Sequence, residues 1–219
     1  MKIILCLLFV FKLYAGTKEY TVGTGSEFNF TGSRNESVTL SIYITESSFT
    51  KLGVEYFFST NSGFSNIEVW QQYRMGIGPS SLSLENGYVL SSDMKKPEIM
   101  TSEFMNNNKD GVNVTDFFFT NEKEIEKYKI GMESIEVPAG SILSTHYRKK
   151  RDDQTVDFWI SDKAGAIGLV KLVSSGSKNA VHNYKVELSS LLKNVKAKIN
   201  PLEAVPLTEK GRQFLGKTK

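Results

Sequence analysis

The chain has 219 residues, 40% hydrophobic and 11% aromatic, which is enough for a buried core in one large domain or two small ones and too apolar for global disorder. Its 27 Lys and Arg stand against 24 Asp and Glu, and two of those cations, Lys2 and Lys12, lie in the first fifteen residues. Without that segment 25 cations face the same 24 acids, a near-neutral balance that gives no electrostatic footprint for nucleic acid, whose phosphates demand clustered Lys and Arg.

Met1-Lys2, the apolar run Ile3 to Phe11 and the small residue Ala15 have the make-up of a secretory signal peptide, and the run is too short to span a bilayer. Residues 1–15 are expected to be an export signal. Residues 16–219 are then a single β-rich domain with a C-terminal tail from about residue 200 and no stable membrane span. The only cysteine, Cys6, falls inside the signal and follows Leu5, not the small residue that lipid attachment requires. An exported domain without disulfides is held by its core alone, which suits a periplasmic or secreted bacterial protein. The N-x-S/T matches at Asn29, Asn35 and Asn113 then count as chance.

Residues 16–34 are rich in Gly, Thr, Ser and Asn and read as a lead-in with an edge strand around 20–22. Residues 38–45 alternate strictly, setting Val38, Leu40, Ile42 and Ile44 on one face of a half-buried strand. Residues 54–59 return as a second strand. Residues 66–73 alternate again, with Ile67, Val69, Gln71 and Tyr73 opposite Glu68, Trp70 and Gln72. Asn86-Gly87 reads as a turn before a short strand at 88–91, and Pro97 forbids a central strand at its own position. Residues 99–105 and 112–120 flank an Asp110-Gly111 loop and are expected to pair antiparallel.

Residues 122–129 fit a short helix or a charged edge strand equally. Strands follow at 134–137, 142–148, 155–161, 168–174 and 182–188. The run Arg148-Lys149-Lys150-Arg151, followed by Asp152-Asp153, reads as a solvated hairpin turn. Residues 188–199 carry apolar spacing that suits helix or strand, Pro201 ends that element, and Thr208 is placed to cap a last short helix docking through Phe214 and Leu215. About ten strands with regular turn signals and little helical period give a mainly β, antiparallel domain with a few short helices.

No reaction signature accompanies this pattern. Outside the signal there are two His, His146 and His182, and no Cys, so no metal centre and no cofactor is expected. A hydrolytic set would have to join His146 to Ser144 and Asp157, yet no G-x-S-x-G elbow occurs. The strand at 155–161 sets Val156, Phe158 and Ile160 on one face and Asp157 and Trp159 on the other. Leu143, Tyr147, Trp159, Val170 and Leu172 are the candidate lining of a ligand cavity on the face opposite Phe158. A strand apolar on both faces needs two covers, and the second is either more protein or an apolar ligand.

Val137-Pro138-Ala139-Gly140 leading into a strand, then Phe158-Trp159-Ile160-Ser161, then Gly168-Leu169-Val170-Lys171-Leu172, resembles the pattern of bacterial periplasmic β-proteins related in fold to the lipoprotein carriers LolA and LolB. The match covers about residues 130–199. What it implies is a half-barrel: a strongly curved antiparallel sheet whose concave side holds acyl chains. The expected protein is thus an envelope binding protein for an apolar small molecule, a lipid or a lipid-bearing protein. The alternative is a structural or protein-interaction module of the envelope with no small ligand.

Overall fold

A computed structural model describes residues 20–32, 37–61, 66–78, 82–101, 105, 125–151, 154–165, 167–176 and 183–215. The expected signal peptide, the 112–120 strand and His182 lie outside the described residues. The strands are β1 (Gly25–Gly32), β2 (Ser37–Ser47), β3 (Lys51–Asn61), β4 (Asn66–Ile77), β5 (Leu82–Ser91), β6 (Glu98–Ile99), β7 (Lys129–Val137), β8 (Gly140–Arg151), β9 (Gln154–Ile160), β10 (Leu169–Ser175), β11 (Tyr184–Leu192) and β12 (Val205–Pro206), followed by a helix α1 (Glu209–Phe214). They form one sheet in the order β12-β6-β5-β4-β3-β2-β1-β11-β10-β9-β8-β7, with β12 and β7 as unjoined ends. Every pairing is antiparallel except β12 with β6.

Alternation builds the core. Val38, Leu40, Ile42 and Ile44 of β2 are buried, and the register sets Leu40 beside Phe28 and Phe58, and Ile42 beside Tyr56. The same side continues through Val186, Leu172, Phe158 and Tyr147, and these side chains belong to one apolar cluster. At roughly 25 cal/mol per Å² of apolar surface removed from water, this continuous face dominates the stability.

Several expectations are corrected. The described residues form twelve strands where about ten were expected, two of them, β6 and β12, being two-residue pieces beside Pro97 and at Pro206. Residues 20–22 are not an edge strand; the N-terminal strand is β1, in mid-sheet between β2 and β11. Asn86-Gly87 is no turn: β5 runs through it, shifted in register against β4, and a side chain at Gly87 would meet Met100 and Met105. Beyond Ile99 the chain makes a helical bond, Met105 N to Thr101 O at 3.0 Å. Arg148 to Arg151 belong to β8, paired residue for residue with β9. Ile125 and Glu126 are helical, and β7 starts at Lys129.

The open choice over residues 188–199 resolves into strand to Leu192 and then an irregular strap. From β11 the strap crosses the outer side of the sheet to β12 at its far end, burying Ile199 against Tyr88 and Leu90. Glu55, fully buried, holds it. The carboxylate accepts from Lys198 N at 2.8 Å and Ile199 N at 3.1 Å, from Gln72 Nε2 at 3.0 Å and from the Tyr43 hydroxyl. Burial, then the bond to Glu55 and its charge, push the Tyr43 phenol well above its ordinary value, so it stays a donor. Past the strap Thr208 caps α1 as expected and donates to Glu98 through N at 2.6 Å and Oγ1 at 2.7 Å.

Glu55→Ala leaves a phenol, an amide and two backbone N–H groups without their acceptor, and is expected to cost on the order of 3 kcal/mol. The check is a urea melt together with trypsin cleavage, which should become rapid at Lys196 and Lys198 in the variant.

Candidate functional site

The five candidate lining residues do not share a face. Leu172 and Tyr147 stand opposite Phe158 in the two ladders and therefore lie on its side, and alternation along β8 puts Leu143 there too. Trp159 stands opposite His146 and Lys171, on the other side. Val170 is the extra residue where the β9–β10 register shifts. Alternation within one strand is legible in sequence; which side of a neighbour it matches depends on the register, and a one-residue slip inverts it. Tyr147, Val170 and Leu172 are core residues, whereas Leu143 is 53% exposed.

The Val137 to Gly140 stretch, part of the resemblance, has a structural task. Ala139 N donates to Leu188 O at 3.1 Å, so the tip of the β7–β8 hairpin reaches past β9 and β10 to β11. Gly140 takes φ 112°, a conformation that strongly favours glycine.

Opposite the core face, a polar cluster gathers on β7, β8 and β9. His146 Nε2 lies 2.6 Å from Asp157 Oδ1, and His146 Nδ1 lies 2.9 Å from Glu133 Oε1. Arg148 Nε donates to the same Asp157 oxygen at 2.7 Å, and Trp159 Nε1 donates to Glu133 Oε1 at 2.7 Å. The His146 and Trp159 rings stack at 4.4 Å between centroids. With both ring nitrogens turned to carboxylates, neither is available to a serine hydroxyl, and Ser144 Oγ instead donates to Ile142 O at 3.0 Å. The His146–Asp157 contact exists, and it is tied into a hydrogen-bonded network with Glu133, Arg148 and Trp159 that holds no serine among the described residues. Among the described residues no group of three or more His, Cys, Asp or Glu could hold a metal ion.

Next in the sheet, Glu187 is flanked by Lys185 Nζ at 2.7 Å and Lys171 Nζ at 2.9 Å. Burial works against its ionisation, but the two lysines outweigh it and hold the carboxyl below its ordinary value.

What sequence reading missed lies on β7. Among the described residues this nine-residue strand pairs only with β8 and ends the sheet, and its Ile130 and Met132 are 60% and 65% exposed. Met132 stands opposite Thr145 and Leu143 opposite Ser134, which makes Met132 and Leu143 diagonal neighbours on one face, about 7–8 Å apart. The strand expected at 134–137 stopped short of Ile130 and Met132, because alternation there mixes apolar and acidic residues on both sides.

No protein-family model and no curated protein matches this chain. Solved structures overlap it broadly at low similarity. A Bacteroides fragilis protein described as exported and as having a YmcC-like fold is 10% identical, over 84% of this chain and 99% of that one, with a TM-score of 0.39. The hypothetical protein CT021 of Chlamydia trachomatis is 12% identical over 86% and 94%, with a TM-score of 0.46. A Parabacteroides distasonis protein described as a lipoprotein is 13% identical over 80% and 100%, with a TM-score of 0.38. At these values no role passes from any of them to this chain.

Two tests probe the polar face. His146→Ala strips Asp157 and Glu133 of a shared partner and removes a stacked ring, and is expected to cost about 2 kcal/mol in a denaturant melt. Glu187 has its folded-state value below the unfolded one, so its contribution is complete above the unfolded carboxylate range and is lost as pH falls through the folded value. Glu187→Gln should therefore lower the thermal midpoint at neutral pH and leave it unchanged in strong acid.

Proposed function

We propose that this protein is a non-catalytic binding protein of the bacterial envelope, which engages an extended apolar segment of a partner protein along the β7–β8 edge. The observation that carries this reading is the coexistence, on one hairpin, of a strand that among the described residues is paired on one side only and three exposed apolar side chains, Ile130, Met132 and Leu143. An edge strand offers main-chain donors and acceptors to an added strand, and alternate side chains give the addition its specificity. Lys129, Glu133 and Glu136 and the irregular register at Gly131 restrain indiscriminate pairing. The envelope location rests on the apolar N-terminal run and on the absence of cysteine after Cys6.

The competing reading is a half-barrel with an apolar ligand against Leu143, Tyr147, Trp159, Val170 and Leu172. It would require Tyr147, Val170 and Leu172 to exchange the protein contacts that now bury them. Docking on the hairpin needs no such rearrangement and uses Leu143 as it stands.

A photo-crosslinking amino acid at position 132 or 143, with position 202 as the control because Leu202 is 95% exposed elsewhere, separates these outcomes in cells of the source organism. A discrete protein adduct at 132 and 143, absent at 202, is expected, and Met132→Asp should abolish the adduct at 143 without changing the melting midpoint. A lipid adduct in its place would move the reading to an apolar ligand. No adduct at either position would end it.

A further inference from the structure

The polar group on β7, β8 and β9 holds one titratable ring between two acids. His146 is buried, and each of its ring nitrogens meets a different carboxylate: Nε2 lies 2.6 Å from Asp157 Oδ1 on β9, and Nδ1 lies 2.9 Å from Glu133 Oε1 on β7. A neutral imidazole has one N–H and one bare nitrogen. In that form one of the two contacts would set a nitrogen lone pair against a carboxylate oxygen at hydrogen-bond distance, which repels. Only the imidazolium, with a proton on each nitrogen, makes both contacts attractive.

The surrounding charges agree. Arg148 and the imidazolium, both on β8, bring two cations to the two carboxylates of Asp157 and Glu133. A neutral ring would leave one cation to two acids, with Asp157 buried. On β10 the residue opposite Trp159 is Lys171, and its ammonium is held by Glu187 at 2.9 Å. On β7 Lys129 is held by Glu126 at 2.7 Å. Both of those lysines are thus already placed against other acids.

We infer that His146 is an imidazolium clasp that fastens β7 to β9 through Glu133, and that the clasp opens when the ring loses one proton. The burial of the two acids sets which side opens. Asp157 is buried and retains Arg148 Nε on the same oxygen at 2.7 Å, whereas the Glu133 side chain is 47% exposed and reaches water without breaking the ladder. The remaining ring N–H stays with Asp157, because a buried carboxylate is the costlier one to leave short of donors. Glu133 then turns outward and gives up the bond from Trp159 Nε1 at 2.7 Å, its direct tie to β9. The clasp is therefore closed while the ring is doubly protonated and is lost as pH rises through its deprotonation. It lies on the hairpin proposed for docking but does not rest on that reading: crosslinking at 132 and the state of this ring are separate measurements.

The test is NMR of the isotopically labelled full chain carrying His182→Gln, which leaves His146 as its one histidine, with the Trp159 indole N–H identified by its loss in Trp159→Phe. At about pH 6 both ring nitrogens are expected to carry hydrogen, and as the pH is raised to about 10 the indole resonance should move together with the loss of one of those protons. Glu133→Gln should uncouple the two: the indole signal stops responding to pH, and the fraction of doubly protonated ring at about pH 8 falls several-fold. A bare ring nitrogen at about pH 6, a ring that keeps both protons to about pH 10, an indole resonance that stays fixed while the ring deprotonates, or a Glu133→Gln variant that responds like the parent would each overturn the clasp.

Discussion

One buried carboxylate organises the outer side of this sheet. Glu55 has no ion pair among the described residues; its carboxylate is met by a phenol, an amide and two consecutive backbone N–H groups of the strap. Such a group is tolerable only if every lone pair is used, because an unsatisfied buried charge costs several kcal/mol. The donors come from β2, β4 and the strap at residues 198 and 199, so the charge is satisfied only when all three are assembled. That makes the strap part of the fold: it covers β3 to β5 with Ile199, and Lys198 lies over the Trp70 ring at 5.3 Å, itself stacked on Phe57.

The strap divides the outer face in two. Over β3 to β5 it is a second apolar layer, and Tyr88 and Leu90 are buried beneath it. Over β7 to β9 that side carries the hydrogen-bonded group of Glu133, His146, Asp157 and Trp159, with His146 and Asp157 buried, and over β10 and β11 the ion pairs of Glu187 with Lys171 and Lys185. An antiparallel sheet can keep one face polar in this way. The question of what covers the two faces of β9 thus has different answers on its two sides: Phe158 is covered by core, and Trp159 by a histidine ring and a carboxylate.

Sequence legibility followed the range of the interaction. The alternation of Val38 to Ile44, of Ile67 to Tyr73 and of Val156 to Ile160 needed only a strand and a core, and each of these segments is a strand with Val38 to Ile44, Val69, Tyr73 and Val156 to Ile160 buried on the alternating side. Thr208 as a helix cap is equally local. The turn reading of Asn86-Gly87 failed because the glycine answers to Met100 and Met105, which pack on it from a distant segment. The strap was invisible for the same reason: residues 193–200 have no period, and their conformation is dictated by Glu55, more than 140 positions earlier. For the site, His146 and Asp157 were named together only as part of a hydrolytic set that the sequence did not support, and Glu133 on the far side of the ring was not named. Its role depends on the β7–β8 register, which alternation does not encode.

The two ends of the sheet show where the chain leaves itself open. At one end β12 and β6 are two residues each, and Glu98 on β6 is tied to the cap of α1 through Thr208, so little main chain is offered there. At the other end β7 is nine residues long, carries exposed Ile130 and Met132, and has its register irregularity near its start, between Lys129 and Gly131. Short strands, charges and bulges are how proteins blunt an edge. Here the β12 end offers only two-residue strands and a tied carboxylate, whereas at the β7 end the span from Met132 to Val137 pairs regularly with β8 and is fastened at its far tip, where Val137 is buried and Ala139 N bonds Leu188 O of β11.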